Sequence, residues 1–111
     1  MTKLEIALTF LQVFYEKWKP GELSKLLSRN LQFSGPFADY QSAPEYMTAL
    51  IADPPAGMTY EITDIFENEN AVCVIYQFSK GAIECPMCQI FEFDDENKIC
   101  KIKLIFDATQ F

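Results

Sequence analysis

The sequence predicts an α+β domain, with three N-terminal helices packed on one face of a strongly curved, mainly antiparallel sheet. Three observations carry this. Apolar residues recur at three- and four-residue spacing in the first half of the chain. From Gly57 onward the period changes to two. Short polar turns then cut the second half into four strands, and helices grouped before strands give this architecture. The chain has 111 residues, enough for one hydrophobic core and therefore a single domain, residues 1–111.

The elements follow in order. Leu4, Ala7, Leu8, Leu11, Phe14, Tyr15 and Trp18 form one face of an amphipathic helix over residues 3–18. Thr2 and Glu5 have the spacing of a capping box at its start, and Pro20-Gly21 ends it. Glu22 to Ser28 is a second, short helix with Leu23, Leu26 and Leu27 inward. Asn30 to Ser34 is a short strand broken by Gly35-Pro36. Ser42 caps a third helix with Glu45 three residues on, running to about Ala52, and Pro44 is tolerated in its first turn. Four strands follow: Met58 to Glu67, Ala71 to Ser79, Ile83 to Asp94 and Lys98 to Asp107, joined by turns at Asn68-Glu69-Asn70, Lys80-Gly81 and Asp95-Glu96-Asn97.

The alternation also sorts the two faces of the sheet. Val72, Val74, Tyr76 and Phe78, then Met87, Gln89, Phe91 and Phe93, then Ile102, Leu104 and Phe106 face the helices. The opposite face is not cleanly polar, because Cys73, Ile75, Cys88, Ile90 and Cys100 put an apolar stripe there. A sheet that is apolar on both faces needs a second cover, so a homodimer pairing through the outer sheet face is expected.

Composition bounds the function. Half the residues are hydrophobic, 14% are aromatic, and Phe alone occurs 10 times, which excludes disorder. The net charge of −7 with no basic cluster speaks against nucleic acid as a partner. The chain has no His, which removes Ser-His-Asp and Cys-His catalysis and the usual zinc sites. No apolar run approaches the roughly 20 residues of a membrane span, and the N-terminal stretch, with Glu5 and Gln12, lacks a signal-peptide cleavage site. A cytoplasmic protein with four reduced cysteines and no cofactor or metal is expected. The turn Asp94-Asp95-Glu96-Asn97 lacks the spaced ligands and Gly of a calcium loop and reads as a solvated hairpin turn.

Several segments together resemble the nuclear transport factor 2-like superfamily, the SnoaL-like cone. These are W-K-P-G-E-L-S-K-L-L at the first helix junction, L-Q-F-S-G-P at the first strand and turn, and F-E-F-D-D-E-N-K-I-C-K-I-K-L-I-F-D at the end. The resemblance implies a cone-shaped half barrel with an internal pocket, and commonly a dimer through the sheet. It implies no single function, since ketosteroid isomerases, polyketide cyclases, epoxide hydrolases and non-catalytic binding modules share it. The isomerase positions are not retained: Phe14 stands where a Tyr is needed, Gly35 where the Asp base is needed, and Gln89 where a protonated Asp is needed. Of the epoxide hydrolase set, with an Arg and an Asp near Met87 and Gln89, only Asp107 at the end of the last strand survives.

The candidate ligand site is then an apolar or aromatic pocket lined by Tyr15, Trp18, Phe37, Tyr40, Tyr60, Tyr76, Gln89 and Phe91, for an apolar or aromatic small molecule. Phe33 belongs to the same aromatic set, and Phe37-Ala38-Asp39-Tyr40 reads as a lid. Any proton transfer beside a carbonyl would use Asp107 or Asp39 as base, with Tyr15, Tyr76 or Gln89 as donor. The same residues also read as core, Gln89 being satisfied by a tyrosine such as Tyr76 and Asp107 being a solvated strand end. An unfilled cavity of about 300 Å³ or more favours the ligand site; a filled cone with Gln89 and Tyr76 bonded to each other favours an interaction module. A third reading is thiol redox through Cys85 and Cys88, whose C-P-M-C resembles the glutaredoxin motif but leads into a strand, where residues three apart diverge.

Overall fold

The computed structural model describes residues 1–111. Its elements are α1 (Lys3–Tyr15), α2 (Pro20–Ser24), β1 (Leu27–Ser34), β2 (Asp39–Tyr40), α3 (Ala43–Ala52), β3 (Met58–Glu67), β4 (Ala71–Lys80), β5 (Ile83–Phe93) and β6 (Ile99–Phe106). A single 3-10 turn, Ala108–Gln110, follows β6. The strands form one open sheet in the order β2-β1-β6-β5-β4-β3, antiparallel except where β1 runs parallel to β6. This is the expected α+β architecture of three helices on a curved sheet.

Local chemistry explains the helix ends. At α1 both bonds of the Thr2–Glu5 capping box are made, at 3.1 and 2.8 Å. The Ser42 hydroxyl accepts from the Glu45 amide at the start of α3. Helix α1 stops at Tyr15 rather than at Trp18, because both the Glu16 and Lys17 amides converge on the Gln12 carbonyl and close the last turn. Trp18 lies beyond the helix and still packs edge-on against Phe14 at 6.2 Å.

Two expectations about the next segment are corrected. Pro20 begins α2 instead of only ending α1; its fixed φ and missing amide proton suit the first helical position. Leu27 opens β1 rather than closing a helix, and the Ile99 amide donates to the Leu26 carbonyl at 2.9 Å, which draws this stretch into the sheet. The segment at 37–40 is not a free lid either. Asp39 and Tyr40 pair with Ser34 and Phe33, and the Gly35 amide donates to the Ala38 carbonyl, so a tight turn holds the segment on the sheet edge.

The β3–β6 meander has the expected strands and faces. Its turns are closed by side chains: Asn68 Oδ1 accepts from the amides of Asn70 and Ala71, and Asp94 Oδ1 from those of Glu96 and Lys98. Gly81 between β4 and β5 has φ +61°, a conformation that favours glycine. Val72, Val74, Tyr76, Met87, Phe91 and Ile102 are buried on the inner face, under Ala7, Phe10 and Leu11 of α1. Phe10 meets Phe91 edge-on at 5.2 Å, joining helix and sheet at the centre of this core.

Leu11 is fully enclosed. Leu11→Ala is therefore expected to lower the unfolding free energy by about 2–5 kcal/mol, read as a shift of the urea midpoint. A loss below about 1 kcal/mol would show that α1 does not carry the core.

Candidate functional site

The inner face of the sheet carries one buried polar residue, Gln89 on β5. Alternation puts it there between Met87 and Phe91, where an unpaired amide would be costly. Register supplies its partner. Val74 of β4 stands opposite Gln89, and Tyr76 lies diagonally beside it. The Tyr76 hydroxyl donates to Gln89 Oε1 at 3.0 Å, and its oxygen is 2.8 Å from the Tyr15 hydroxyl at the end of α1. With the Tyr76 proton committed to Gln89, Tyr15 is the donor in the second bond. A relay therefore runs Tyr15 to Tyr76 to Gln89, from the helix end into the core.

Rings pack around this relay. Tyr60 of β3 stacks on Tyr15 at 4.9 Å and donates its hydroxyl proton to Glu16 Oε2 at 2.6 Å. Tyr15 and Tyr60, with Glu16, Met58, Thr59 and Ile62, line an open groove of about 450 Å³ between the end of α1 and β3. The groove therefore meets the relay at Tyr15. A second groove, about 510 Å³, lies elsewhere, between α1, α2 and the β5–β6 turn, and touches none of the expected site residues.

Burial keeps these phenols neutral. It raises Tyr15 from the ordinary value of 10.0 to about 12, against the opposing pull of its bond to Tyr76. Burial is also the first cause of the upward shift of Tyr76, followed by its proximity to Tyr15. Tyr46 of α3 is pushed up by burial and by the nearness of Tyr15 and Tyr40. Tyr46 is the neighbour that sequence reasoning missed. It is buried and stacks on Phe33 at 4.9 Å, and it was not singled out because one aromatic residue in the first turn of α3 gives no sign of which strand it meets.

The remaining expected site residues divide. Tyr40 packs with Phe33 and Tyr46, on the β1–α3 side of the cone. Phe91 is core, against Phe10. Trp18 packs on Phe14 beyond the end of α1. Phe37 is 66% exposed and joins Phe106 and Phe111 in an aromatic cluster at the end of β6. The two carboxylates do not enter the interior. Asp39 is exposed on β2. Asp107 caps the 3-10 turn, accepting from the Thr109 amide and hydroxyl at 3.0 and 2.7 Å, and these bonds lower its pKa, the opposite of what a base working near neutrality needs. The Cys85–Cys88 pair is also separated. Cys85 is buried opposite Phe78 and donates to the Pro86 carbonyl, while Cys88 lies on the outer face, because residues three apart on a strand point to opposite sides.

No family profile and no curated protein matches the sequence. Solved structures match closely in shape. A nuclear transport factor 2-like protein of unknown function from Cytophaga hutchinsonii superposes with a TM-score of 0.83 at 20% identity, over 98% of this chain and 93% of that one. An LEH-like epoxide hydrolase of M. tuberculosis gives 0.79 at 18% identity, over 97% and 84%. A protein assigned as an isomerase of the SnoaL-like family from Agrobacterium tumefaciens gives 0.77 at 14%, over 97% and 100%. The chain thus has an open α+β cone, and that cone is the nuclear transport factor 2-like fold, shared with SnoaL-like and epoxide hydrolase-like proteins.

The raised phenols set an alkaline limit. Tyr15 ionises at 10.0 when unfolded and at about 12 when folded, so its contribution is complete below pH 10 and is lost as pH rises towards 12. Urea midpoints measured between about pH 9 and pH 11.5 should fall for the native chain and fall less steeply for Tyr15→Phe. Equal slopes would mean that Tyr15 ionises freely in the folded state.

Proposed function

We propose that the chain binds a neutral, apolar or aromatic small molecule at the mouth of the cone, with its ring against Tyr15, Tyr60 and Met58 and a hydroxyl donating to the Tyr15 oxygen, whose own proton is committed to Tyr76. The observation that carries this reading is that the ring of Tyr15 lines the groove while its hydroxyl begins the relay to Tyr76 and Gln89. Glu16 lines this groove and no cation does, which disfavours a carboxylate ligand and suits a neutral one. Gln89 and Tyr76 are bonded to each other and set in the core, which favours the interaction module over a deep ligand pocket and confines the ligand reading to the mouth. With Asp107 and Asp39 outside, the reading is binding rather than turnover. The four free thiols fit a reducing, cytoplasmic setting, and no helix is long and apolar enough to cross a membrane.

Neutral aromatic alcohols, tested against the matched carboxylates, should raise the melting temperature where the carboxylates do not. Tyr15→Phe should weaken the best of them by about 3–10-fold, the worth of one hydrogen bond. Equal binding of the charged series, or affinity untouched in both Tyr15→Phe and Tyr60→Ala, would overturn the assignment.

A second observation favours self-association. On the outer sheet face Phe66 and Ile105, 60% and 54% exposed, flank half-buried Cys73, Ile75, Cys88 and Ile90. Pairing places these residues in two adjoining rows, Phe66-Cys73-Ile90 and Ile75-Cys88-Ile105. Acidic Glu61 and Asp64 border the patch on β3, and Lys101 and Lys103 border it on β6. A two-fold pairing of two such faces sets the acidic border of one copy against the basic border of the other while covering the apolar rows. Sedimentation at tens of micromolar should show a dimer, and Ile75→Lys should convert it to monomer. A monomeric native chain would exclude this assembly.

A further inference from the structure

Cys73 of β4 and Cys88 of β5 are the two thiols that the fold brings together. Their sulfurs are 3.4 Å apart. Cys73 stands opposite Ile90 and Cys88 opposite Ile75, so the two are diagonal neighbours on the same face of adjacent strands. Both are half-buried, within reach of a small reagent. Neither of the other two cysteines competes. Cys85 is on the inner face, fully enclosed and turned to the Pro86 carbonyl. Cys100 lies beside the β5–β6 bulge near Glu92 and Lys101, four residues along β5 from the Cys88 row.

We propose that Cys73 and Cys88 form a reversible oxidation site, closing to an intrachain disulfide when the protein meets a peroxide. The sheet already holds the two strands in register, but diagonal neighbours stand about 7–8 Å apart, so closure draws the strands locally together, below the roughly 7 Å a disulfide spans, as the sulfurs approach from 3.4 Å to roughly 2.05 Å. The reaction balances as follows. The Cys73 sulfur, as thiolate, attacks one oxygen of hydrogen peroxide; the O–O bond breaks, a sulfenic acid forms, and the departing hydroxide leaves as water with the thiol's proton. The Cys88 sulfur then attacks the sulfenic sulfur; the S–S bond forms, the S–O bond breaks, and the second hydroxide leaves as water with the Cys88 proton. Two thiols are oxidised by two electrons, and one peroxide becomes two waters.

Burial, followed by the contact with Cys73, raises the Cys88 thiol from 9.0 to about 11. The two sulfurs face each other on one side of the sheet, so exchange of their roles gives the same disulfide. The Cys85–Cys88 spacing, which catches the eye in the sequence, plays no part. The site is internal to one chain and does not depend on pairing of the outer faces.

The test is oxidation of the native protein by dilute hydrogen peroxide at a protein concentration where the chain is monomeric, followed by thiol titration and disulfide mapping. Free thiols should fall from four per chain to two and return to four with a dithiol reductant. Trypsin separates the peptide carrying Cys73 from the one carrying Cys85 and Cys88, and fragmentation of the linked pair should place the bond on Cys88. The Cys85→Ala/Cys100→Ser variant should form the same bond, and Cys73→Ser should abolish it. Circular dichroism of each variant reports whether it is folded, and the native protein is mapped in any case. A bond to Cys85 or Cys100, a covalent dimer, or oxidation of Cys73 to sulfinic acid with Cys88 still free would each overturn the proposal.

Discussion

The packing of α1 on the inner face of the sheet, against β3, β4 and β5, holds the rest of this molecule in place. Ala7, Phe10 and Leu11 are buried in one core with Val72, Val74, Phe91 and Ile102, and Phe10 locks edge-on to Phe91. Each large apolar side chain removed from water contributes about 1.5–3 kcal/mol, so this single layer outweighs any polar interaction in the chain. It also fixes where α1 ends. With Phe10 over the sheet centre, Tyr15 arrives one and a half turns later at the edge of the cone, where its hydroxyl finds Tyr76. The position of the candidate site is therefore a consequence of core packing.

A polar group in such a layer survives only if it is paired. Gln89 meets that requirement through Tyr76, and Tyr76 through Tyr15, so that no enclosed side-chain nitrogen or oxygen is left without a partner. The relay is made of neutral groups, and burial holds them neutral. That distinguishes it chemically from a carboxylate-driven centre. Asp107, whose oxygens are occupied in capping the turn after β6, stabilises the chain end rather than the interior.

The outer face of the sheet follows a different logic. Its apolar rows arise because β4 and β5 place Cys73, Ile75, Cys88 and Ile90 on the side away from the helices, where nothing in the chain covers them. The bulge in β3 between Ile62 and Asp64 adds Phe66 to this side by shifting the register of the strand's second half. The pairing that sets these residues in adjoining rows also makes Cys73 and Cys88 diagonal neighbours and brings their sulfurs together. Surface character and thiol chemistry thus come from one feature, the register of β4 on β5.

The sequence by itself determined the presence of three helices, the capping of α1 and α3, the four-stranded meander and which residues of β4, β5 and β6 face the helices. Each depends on spacing within one segment, where helical and strand periods differ and a capping residue acts on its own turn. It also placed Gln89 inside and named Tyr76 as its partner, since a buried amide limits the choice to the nearest hydroxyls. Tertiary structure alone decided that Leu27 starts a strand parallel to β6, that 37–40 is pinned to the sheet edge, that Tyr46 stacks on Phe33, and that Cys88 meets Cys73 rather than Cys85. These depend on which distant segments lie side by side and in what register. That choice is made by the burial of the whole inner face at once, and local spacing carries no record of it.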